Sequence, residues 1–187
     1  TYDYDKVNRI TSIADPEGYA QTLNYDEKGN LSKIADSEGR IYSYTYDKMH
    51  RLLTEKDPAG HVTSYGYDEA GNLDKIKEAN GNTSFYEYDI LDRINKTIDP
   101  EGNITQIEYD SLGNIEKVIE KQANREYKYT YDAANNLESE INPLGEKTTY
   151  IYNANNLLSI EVNSLGNKTE YLVSAVSSGK LIQTKGK

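Results

Sequence analysis

A tyrosine followed by an aspartate returns along the chain at almost constant spacing, and this recurrence constrains the fold more than any other feature. The tyrosines are Tyr4, Tyr25, Tyr46, Tyr67, Tyr88, Tyr109, Tyr131 and Tyr152. Successive intervals are 21 residues, except for one of 22 that carries a single insertion near Gln122–Asn124. Asp5, Asp26, Asp47, Asp68, Asp89, Asp110 and Asp132 follow the first seven, and Asn153 follows the last. Six residues after each Tyr stands Ile10, Leu31, Leu52, Leu73, Ile94, Ile115, Leu137 or Leu158, apolar every time. Two residues before it stands Tyr2, Leu23, Tyr44, Tyr65, Tyr86, Ile107, Tyr129 or Tyr150. Eleven residues after it comes Asp15, Asp36, Asp57, Glu78, Asp99, Glu120, Asn142 or Asn163. A glycine closes the same segment at Gly18, Gly39, Gly60, Gly81 and Gly102, and again past the insertion at Gly145 and Gly166. A fixed period of this size marks a stacked repeat architecture in which each unit buries its apolar face only against neighbours.

The local pattern within one repeat is that of strands and turns. Tyr127-Lys128-Tyr129-Thr130-Tyr131 alternates rings with polar residues, the period-two signature of a strand. Asp68-Glu69-Ala70-Gly71-Asn72 reads as a turn, with Gly and Asn suited to positive φ. A second short strand runs from Leu73 to about Lys77. Asp-Pro-x-Gly at Asp15–Gly18, Asp57–Gly60 and Asp99–Gly102, and Asn-Pro-Leu-Gly at Asn142–Gly145, match a type I turn. Ile13, Ile34, Ile76 and Val118 fall out of phase with the apolar residue that opens the second strand, and a β-bulge there reconciles the two. The expected fold is all-β: tandem antiparallel β-hairpins, one per repeat of about 21 residues, forming a curved or spiralling strip. Some sixteen strands exceed the ~10 that a twisted open sheet carries without curling. Residues 1–173 form the array of about eight repeats, and residues 174–187, with Ser177-Ser178-Gly179, read as a flexible non-repeat tail.

Composition fits this reading. The hydrophobic fraction is 36%, low for a globular domain, but the chain holds 18 Tyr, one Phe and no Trp. Tyr offers a large ring with a polar tip, so a tyrosine interior is compatible with low hydropathy. A net charge of −10 argues against nucleic acid and anionic membrane surfaces, which need a basic face. With no Cys there is no disulfide framework, thiolate metal site or cysteine nucleophile. No apolar run approaches the ~18 residues of a membrane-spanning helix, and no signal peptide is apparent. Thr1 lies inside a repeat, so the chain reads as a segment of a longer protein.

The run Tyr67-Asp68-x-x-Gly71-Asn72-Leu73, followed by the glycine turn and Tyr86-x-Tyr88-Asp89, resembles the YD-repeat or RHS-repeat family. The resemblance extends from residue 1 to about 173. It implies a large secreted or bacterial cell-surface parent, as in Rhs polymorphic toxins, wall-associated proteins and the C component of insecticidal toxin complexes; animal teneurins carry related repeats. It also implies a long β-strip that spirals into a hollow shell, which in the toxins encloses a C-terminal toxic domain. The chain shows neither the family's capping core nor a toxin domain and has fewer repeats than a closed shell. The expectation is therefore a structural wall segment, not an enzyme. Its partners would be the rest of the parent shell and its cargo domain. Open strand edges would also allow self-association.

Chemistry outside the repeat is sparse. His50 and His61, the two histidines, fall in turn regions and read as exposed turn residues. The Asp-Pro-x-Gly turns invite comparison with the autoproteolytic aspartate of Rhs toxins. They recur at one turn, with Ser37, Ala79 or Ser164 in place of Pro elsewhere, so turn geometry accounts for them. The repeated Asp after Tyr suggests a calcium ladder, but its spacing matches neither the EF-hand loop nor the calcium-binding nonapeptide repeat, and capping of the turn by the Asp side chain explains it more simply. No catalytic residue, metal or cofactor is assigned. A glycan-binding stalk using surface Tyr, Asn and Asp is the alternative function.

Overall fold

The structure, a computed structural model, describes residues 1–172 and 183–186. Every regular element in the described residues is a strand. In chain order these are β1 (Tyr2–Tyr4), β2 (Ile10–Ala14), β3 (Ala20–Tyr25), β4 (Leu31–Asp36), β5 (Ile41–Tyr46), β6 (Leu52–Lys56), β7 (Val62–Tyr67), β8 (Leu73–Lys77) and β9 (Thr83–Tyr88). They continue as β10 (Ile94–Ile98), β11 (Ile104–Tyr109), β12 (Ile115–Glu120), β13 (Arg125–Tyr131), β14 (Leu137–Ile141), β15 (Lys147–Tyr152), β16 (Leu158–Val162), β17 (Lys168–Leu172) and β18 (Gln183–Gly186). The chain divides into two compact units, residues 1–92 with 98–101, and residues 93–97 with the chain from 102 onward. Within the first, β1 to β9 pair in order, each antiparallel to the next. Within the second, β11 to β18 do the same. The fold is thus all-β, built of tandem antiparallel hairpins with one hairpin per repeat. β18 pairs with β17 and falls inside the segment that the sequence leaves outside the array. Ser177-Ser178-Gly179 lies outside the described residues.

The bulge that the phase mismatch requires is present in the hairpins β1–β2, β3–β4, β5–β6, β7–β8, β11–β12, β13–β14 and β15–β16. Tyr25 faces Leu31 while Asn24 faces Lys33, so Ser32 is the extra residue. The same step leaves out Leu53 between β5 and β6 and Asp74 between β7 and β8. Without it, residues three apart such as Leu31 and Ile34 would point to opposite faces. With it, Ile34 sits opposite Leu23, and Ile76 opposite Tyr65.

Both turns of the hairpin share one geometry. In the first, the Asp5 N–H donates to the Arg9 carbonyl (2.9 Å) and the Asn8 N–H donates to the Asp5 carbonyl (3.1 Å). In the second, the Asp15 N–H donates to the Tyr19 carbonyl (3.0 Å) and the Gly18 N–H to the Asp15 carbonyl (3.4 Å). Each is a three-residue loop, a type I turn closed by one residue in the left-handed region. In every repeat but the sixth the second turn places glycine there, from Gly18 (φ 94°) to Gly166 (φ 80°). The first accepts side chains: Asn8, His50, Asp92, Asn135 and Asn156 occupy it at φ between 57° and 67°. The inserted residue of the sixth repeat lies in a turn, with Asn124 left-handed (φ 48°) between Glu120 and its partner Arg125.

The expected tyrosine interior is corrected by the structure. Among the described residues no hydrophobic side chain is fully buried, and Ser139 alone is, at 1% exposure. The rings at Tyr25, Tyr46, Tyr67, Tyr88 and Tyr109 are half-buried. Each of these rings reaches the preceding hairpin through its hydroxyl, and an Arg from that hairpin's turn lies over Tyr25, Tyr67 and Tyr109. Stability therefore accumulates hairpin by hairpin. Gly60, left-handed at φ 90° with Lys56 Cε as the nearest atom to an added Cβ, isolates the backbone contribution. Gly60→Ala is expected to cost about 1–2 kcal/mol, the strain of a side chain in that region. Gly60→Asn should cost less, as measured by thermal denaturation.

Candidate functional site

The repeat tyrosine joins hairpins. The ladder between β2 and β3 stops at Ser12 opposite Thr22, and the Tyr25 hydroxyl donates to the Ile10 carbonyl two residues beyond it, at 2.7 Å. The bond recurs from Tyr46 to Leu31 (2.9 Å), Tyr67 to Leu52 (2.9 Å) and Tyr88 to Leu73 (2.8 Å). In the second unit it runs from Tyr109 to Ile94 (2.8 Å), Tyr131 to Ile115 (3.0 Å) and Tyr152 to Leu137 (3.0 Å). Each acceptor is the carbonyl of the apolar residue that opens the bulge, so ring, bulge and invariant Leu/Ile form one device. A bond of this type contributes about 1 kcal/mol net. Tyr4, in β1, is exposed at 54%.

The aspartate after each Tyr holds the turn. Oδ1 of Asp5 accepts the N–H groups of Val7 and Arg9 (2.9 Å each), and Oδ2 accepts Arg9 Nε (2.7 Å). Asp26 does the same with Lys28, Asn30 and the Asn30 side chain, and Asp47 with Met49, Arg51 and Arg51 Nε. Asp68, Asp110 and Asp132 repeat the arrangement, and Asp89 accepts the Leu91 N–H (2.9 Å). These donors favour the charged carboxylate. The Arg9 and Arg51 backbone hold Asp5 and Asp47 below the usual carboxylate range, and the side chains of Asn30, Asn114 and Asn136 do so for Asp26, Asp110 and Asp132. No group of three His, Cys, Asp or Glu among the described residues is arranged to hold a metal ion. Arg9, Arg51 and Arg93 then lie over the next repeat's ring, at 4.3 Å from Tyr25, 4.4 Å from Tyr67 and 4.1 Å from Tyr109. The signature glycines Gly18, Gly39, Gly60, Gly81, Gly102, Gly145 and Gly166 all sit in the second turn.

Both histidines are exposed turn residues, as expected, and each makes a side-chain bond. His50 is left-handed (φ 65°) and its Nδ1 bonds Asn30 Oδ1 at 2.7 Å. His61 Nδ1 bonds Asp57 Oδ2 at 2.8 Å and lines an open pocket of about 280 Å³ with Tyr42, Tyr44, Glu55, Lys56 and Thr63.

A second tyrosine network escaped the sequence reading. Tyr150 donates to Glu140 Oε1 (2.8 Å) and Tyr171 to Glu161 Oε2 (2.7 Å), again from one repeat to the one before. Burial, then a hydrogen bond to Glu55, pushes the Tyr65 phenol up to about 12. The signal was the ninth place after the repeat Tyr, which holds Glu55, Glu140 and Glu161 where other repeats carry Ile13, Ile34, Ile76 and Val118.

The RHS Repeat family model matches residues 25–61, 50–83 and 131–168, just over half of the chain. The chain belongs to the RHS repeat family. Among curated proteins none matches it. Several solved structures share its fold. The crystal structure of TcdB2-TccC3-TEV matches at 18% identity and TM-score 0.81 over 99% of this chain and 11% of that one. The crystal structure of TcdB2-TccC3 matches at 18% identity and TM-score 0.70 over 91% and 12%. A Tc holotoxin pore from Photorhabdus luminescens with a TccC3 mutation matches at 20% identity and TM-score 0.68 over 86% and 10%. The chain spans about a tenth of the length of these structures.

The RHS tyrosines set two expected outcomes. Tyr46→Phe removes the bond to Leu31 and leaves the ring, so it should cost about 0.5–1.5 kcal/mol in denaturant unfolding. Burial raises Tyr44, Tyr46, Tyr88 and Tyr129 as it does Tyr65. An unfolded chain releases these protons near pH ~10, whereas the folded one keeps them. Stability should therefore hold below pH ~10 and fall as pH rises toward the folded values, about 12 for Tyr65. Thermal unfolding followed from pH ~8 to ~12 checks this.

Proposed function

We propose that this chain is a wall segment of a larger secreted RHS-repeat protein, whose complete array encloses a C-terminal toxin or effector domain. Its role is structural and not catalytic. The observation that carries this reading is the tyrosine-to-carbonyl bond, made by seven successive repeat tyrosines to the hairpin before each. A bond that each hairpin makes in the same way to the one before extends a surface without limit and specifies no substrate. The fold likeness to Tc toxin structures supports an array of this kind, of which this chain is about a tenth by length. Cargo and the remaining shell are the partners in this reading.

A second reading has one observation in its favour: the pocket beside His61 combines two rings, Tyr42 and Tyr44, with Glu55 and Asp57. Stacking faces next to carboxylates suit a sugar. Binding of soluble glycans that is lost in Tyr42→Ala would support it; no binding across a broad glycan panel would remove it. For the wall reading, small-angle scattering with light scattering across a concentration series is decisive. An elongated or curved monomer, with a radius of gyration well above the ~16 Å of a compact domain of this length, is expected. A compact sphere of monomer mass would overturn it.

A further inference from the structure

The first turn of each repeat varies in step with its neighbour. Its left-handed place, four residues after the repeat Tyr, reads Asn8, Gly29, His50, Gly71, Asp92, Gly113, Asn135 and Asn156. The next place reads Arg9, Asn30, Arg51, Asn72, Arg93, Asn114, Asn136 and Leu157. Through the first six repeats both alternate, so the sequence has a hidden period of 42 residues. The twelfth place alternates too, as Pro16, Ser37, Pro58, Ala79, Pro100, Lys121, Pro143 and Ser164.

The structure supplies a physical reason for the first two alternations. Where a repeat carries Arg, the guanidinium crosses to the next repeat, stacks on its Tyr and passes over its left-handed residue. That residue is then glycine. A Cβ built at Gly29, Gly71 or Gly113 would meet Nη1 of Arg9, Arg51 or Arg93 at 3.2, 3.3 or 3.5 Å. Where a repeat carries Asn, the amide is too short to cover the ring, and it bonds a side chain at the next left-handed residue. Asn30 meets His50 at 2.7 Å, Asn72 meets Asp92 at 2.8 Å, and Asn114 meets Asn135 at 2.6 Å. There are thus two clasps, Arg on Gly and Asn on a polar side chain.

Simple duplication of a two-repeat unit would also produce alternation, but the seventh repeat separates the explanations. There the period breaks: Asn136 stands where Arg is due, and the following repeat has Asn156 where Gly is due. Both places change together, and the pair makes the second clasp, Asn136 Nδ2 to Asn156 Oδ1 at 3.5 Å. Inherited duplication gives no reason for the paired change; direct contact does. We infer that the two clasps form a pairing code, in which the residue after the left-handed place selects which hairpin can dock next. A hairpin placed ahead of Tyr4 is matched to Asn8 when it carries Asn, not Arg, at that place. The code does not depend on whether the array encloses a cargo.

Two double-mutant cycles on the full chain test this. Arg51→Asn with Gly71→Asn converts an Arg-on-Gly clasp into the Asn-on-Asn clasp of the seventh junction. Asn30→Arg with His50→Gly makes the opposite change. The intrinsic cost of a side chain at the left-handed place cancels within each cycle. Each single variant should lower stability, and each double should recover most of the combined loss, a coupling of about tenfold in the unfolding equilibrium constant. Hydrogen exchange of the amides flanking the junction should show the same rescue locally. If a single variant fails to fold while its double folds, the code is supported. Additive losses in both cycles, or doubles that fold no better than their singles, overturn it and leave duplication as the source of the alternation.

Discussion

The hydrogen bond from the repeat tyrosine to the carbonyl of the preceding hairpin is the constraint from which the repeat follows. To make it, the ring must stand at the end of its own first strand and lie across the start of the previous second strand. That fixes the distance along the chain at 15 residues for Tyr25, Tyr46, Tyr67, Tyr88, Tyr109 and Tyr152. The bulge is tied to the same bond, since it turns the opening carbonyl of the second strand toward the ring and returns the later apolar residues to the ring's face. The insertion near Gln122 shows how strict this is. It lengthens the separation between Tyr131 and Ile115 to 16, yet the bond survives at 3.0 Å. The extra residue is absorbed in a turn, where Asn124 adopts positive φ. In a strand the same residue would have reversed every side chain beyond it.

A fold assembled from such bonds manages with little apolar burial. The described residues enclose no fully buried hydrophobic side chain. Their contacts are half-covered rings, carboxylates that cap turns, and guanidinium groups on ring faces. Many of these terms are polar and local, and each hairpin repeats them. This explains how a chain with 36% hydrophobic residues and a net charge of −10 folds at all. The low hydropathy that would signal disorder in an aperiodic chain is here a sign that stabilisation runs along the array and not through a core.

The parts of this architecture that depend on residue identity and spacing were legible. Tyr127-Lys128-Tyr129 marked a strand, Asp57–Gly60 a turn, and the misplaced phase of Ile13 and Ile34 a bulge. What was hidden depends on partners without identity in the sequence. A backbone carbonyl looks the same at every residue, so nothing in the pattern of Tyr and Leu says that one takes the other's carbonyl. The expectation of a tyrosine interior failed for a related reason: periodicity shows that rings share a face, but not whether anything covers it. Glu55, Glu140 and Glu161 interrupt a place that is apolar in other repeats, and the sequence does not show that a tyrosine hydroxyl from the next repeat reaches their carboxylates. His50 is an exposed turn residue, as expected, but its contact was hidden. Its ring is the partner of Asn30, and its backbone fills a place that glycine takes elsewhere.

The two kinds of contact between hairpins do different work. The tyrosine bond uses a backbone carbonyl and is the same at each described junction, so by itself it would join any hairpin to any other. An array held only in this way has no defence against pairing out of register, because a shift by one whole repeat restores each such bond. The turn clasps vary, and a shift by one repeat would set Arg against His50 and Asn against Gly29 or Gly71. Discrimination of this sort needs a mismatch that costs something as well as a match that stabilises. The left-handed residue provides both: glycine leaves room for the guanidinium, and a Cβ in its place would already stand 3.2–3.5 Å from Nη1, so a longer side chain competes with the guanidinium for the same space. In a wall of near-identical units, order therefore rests on the residues that are not identical.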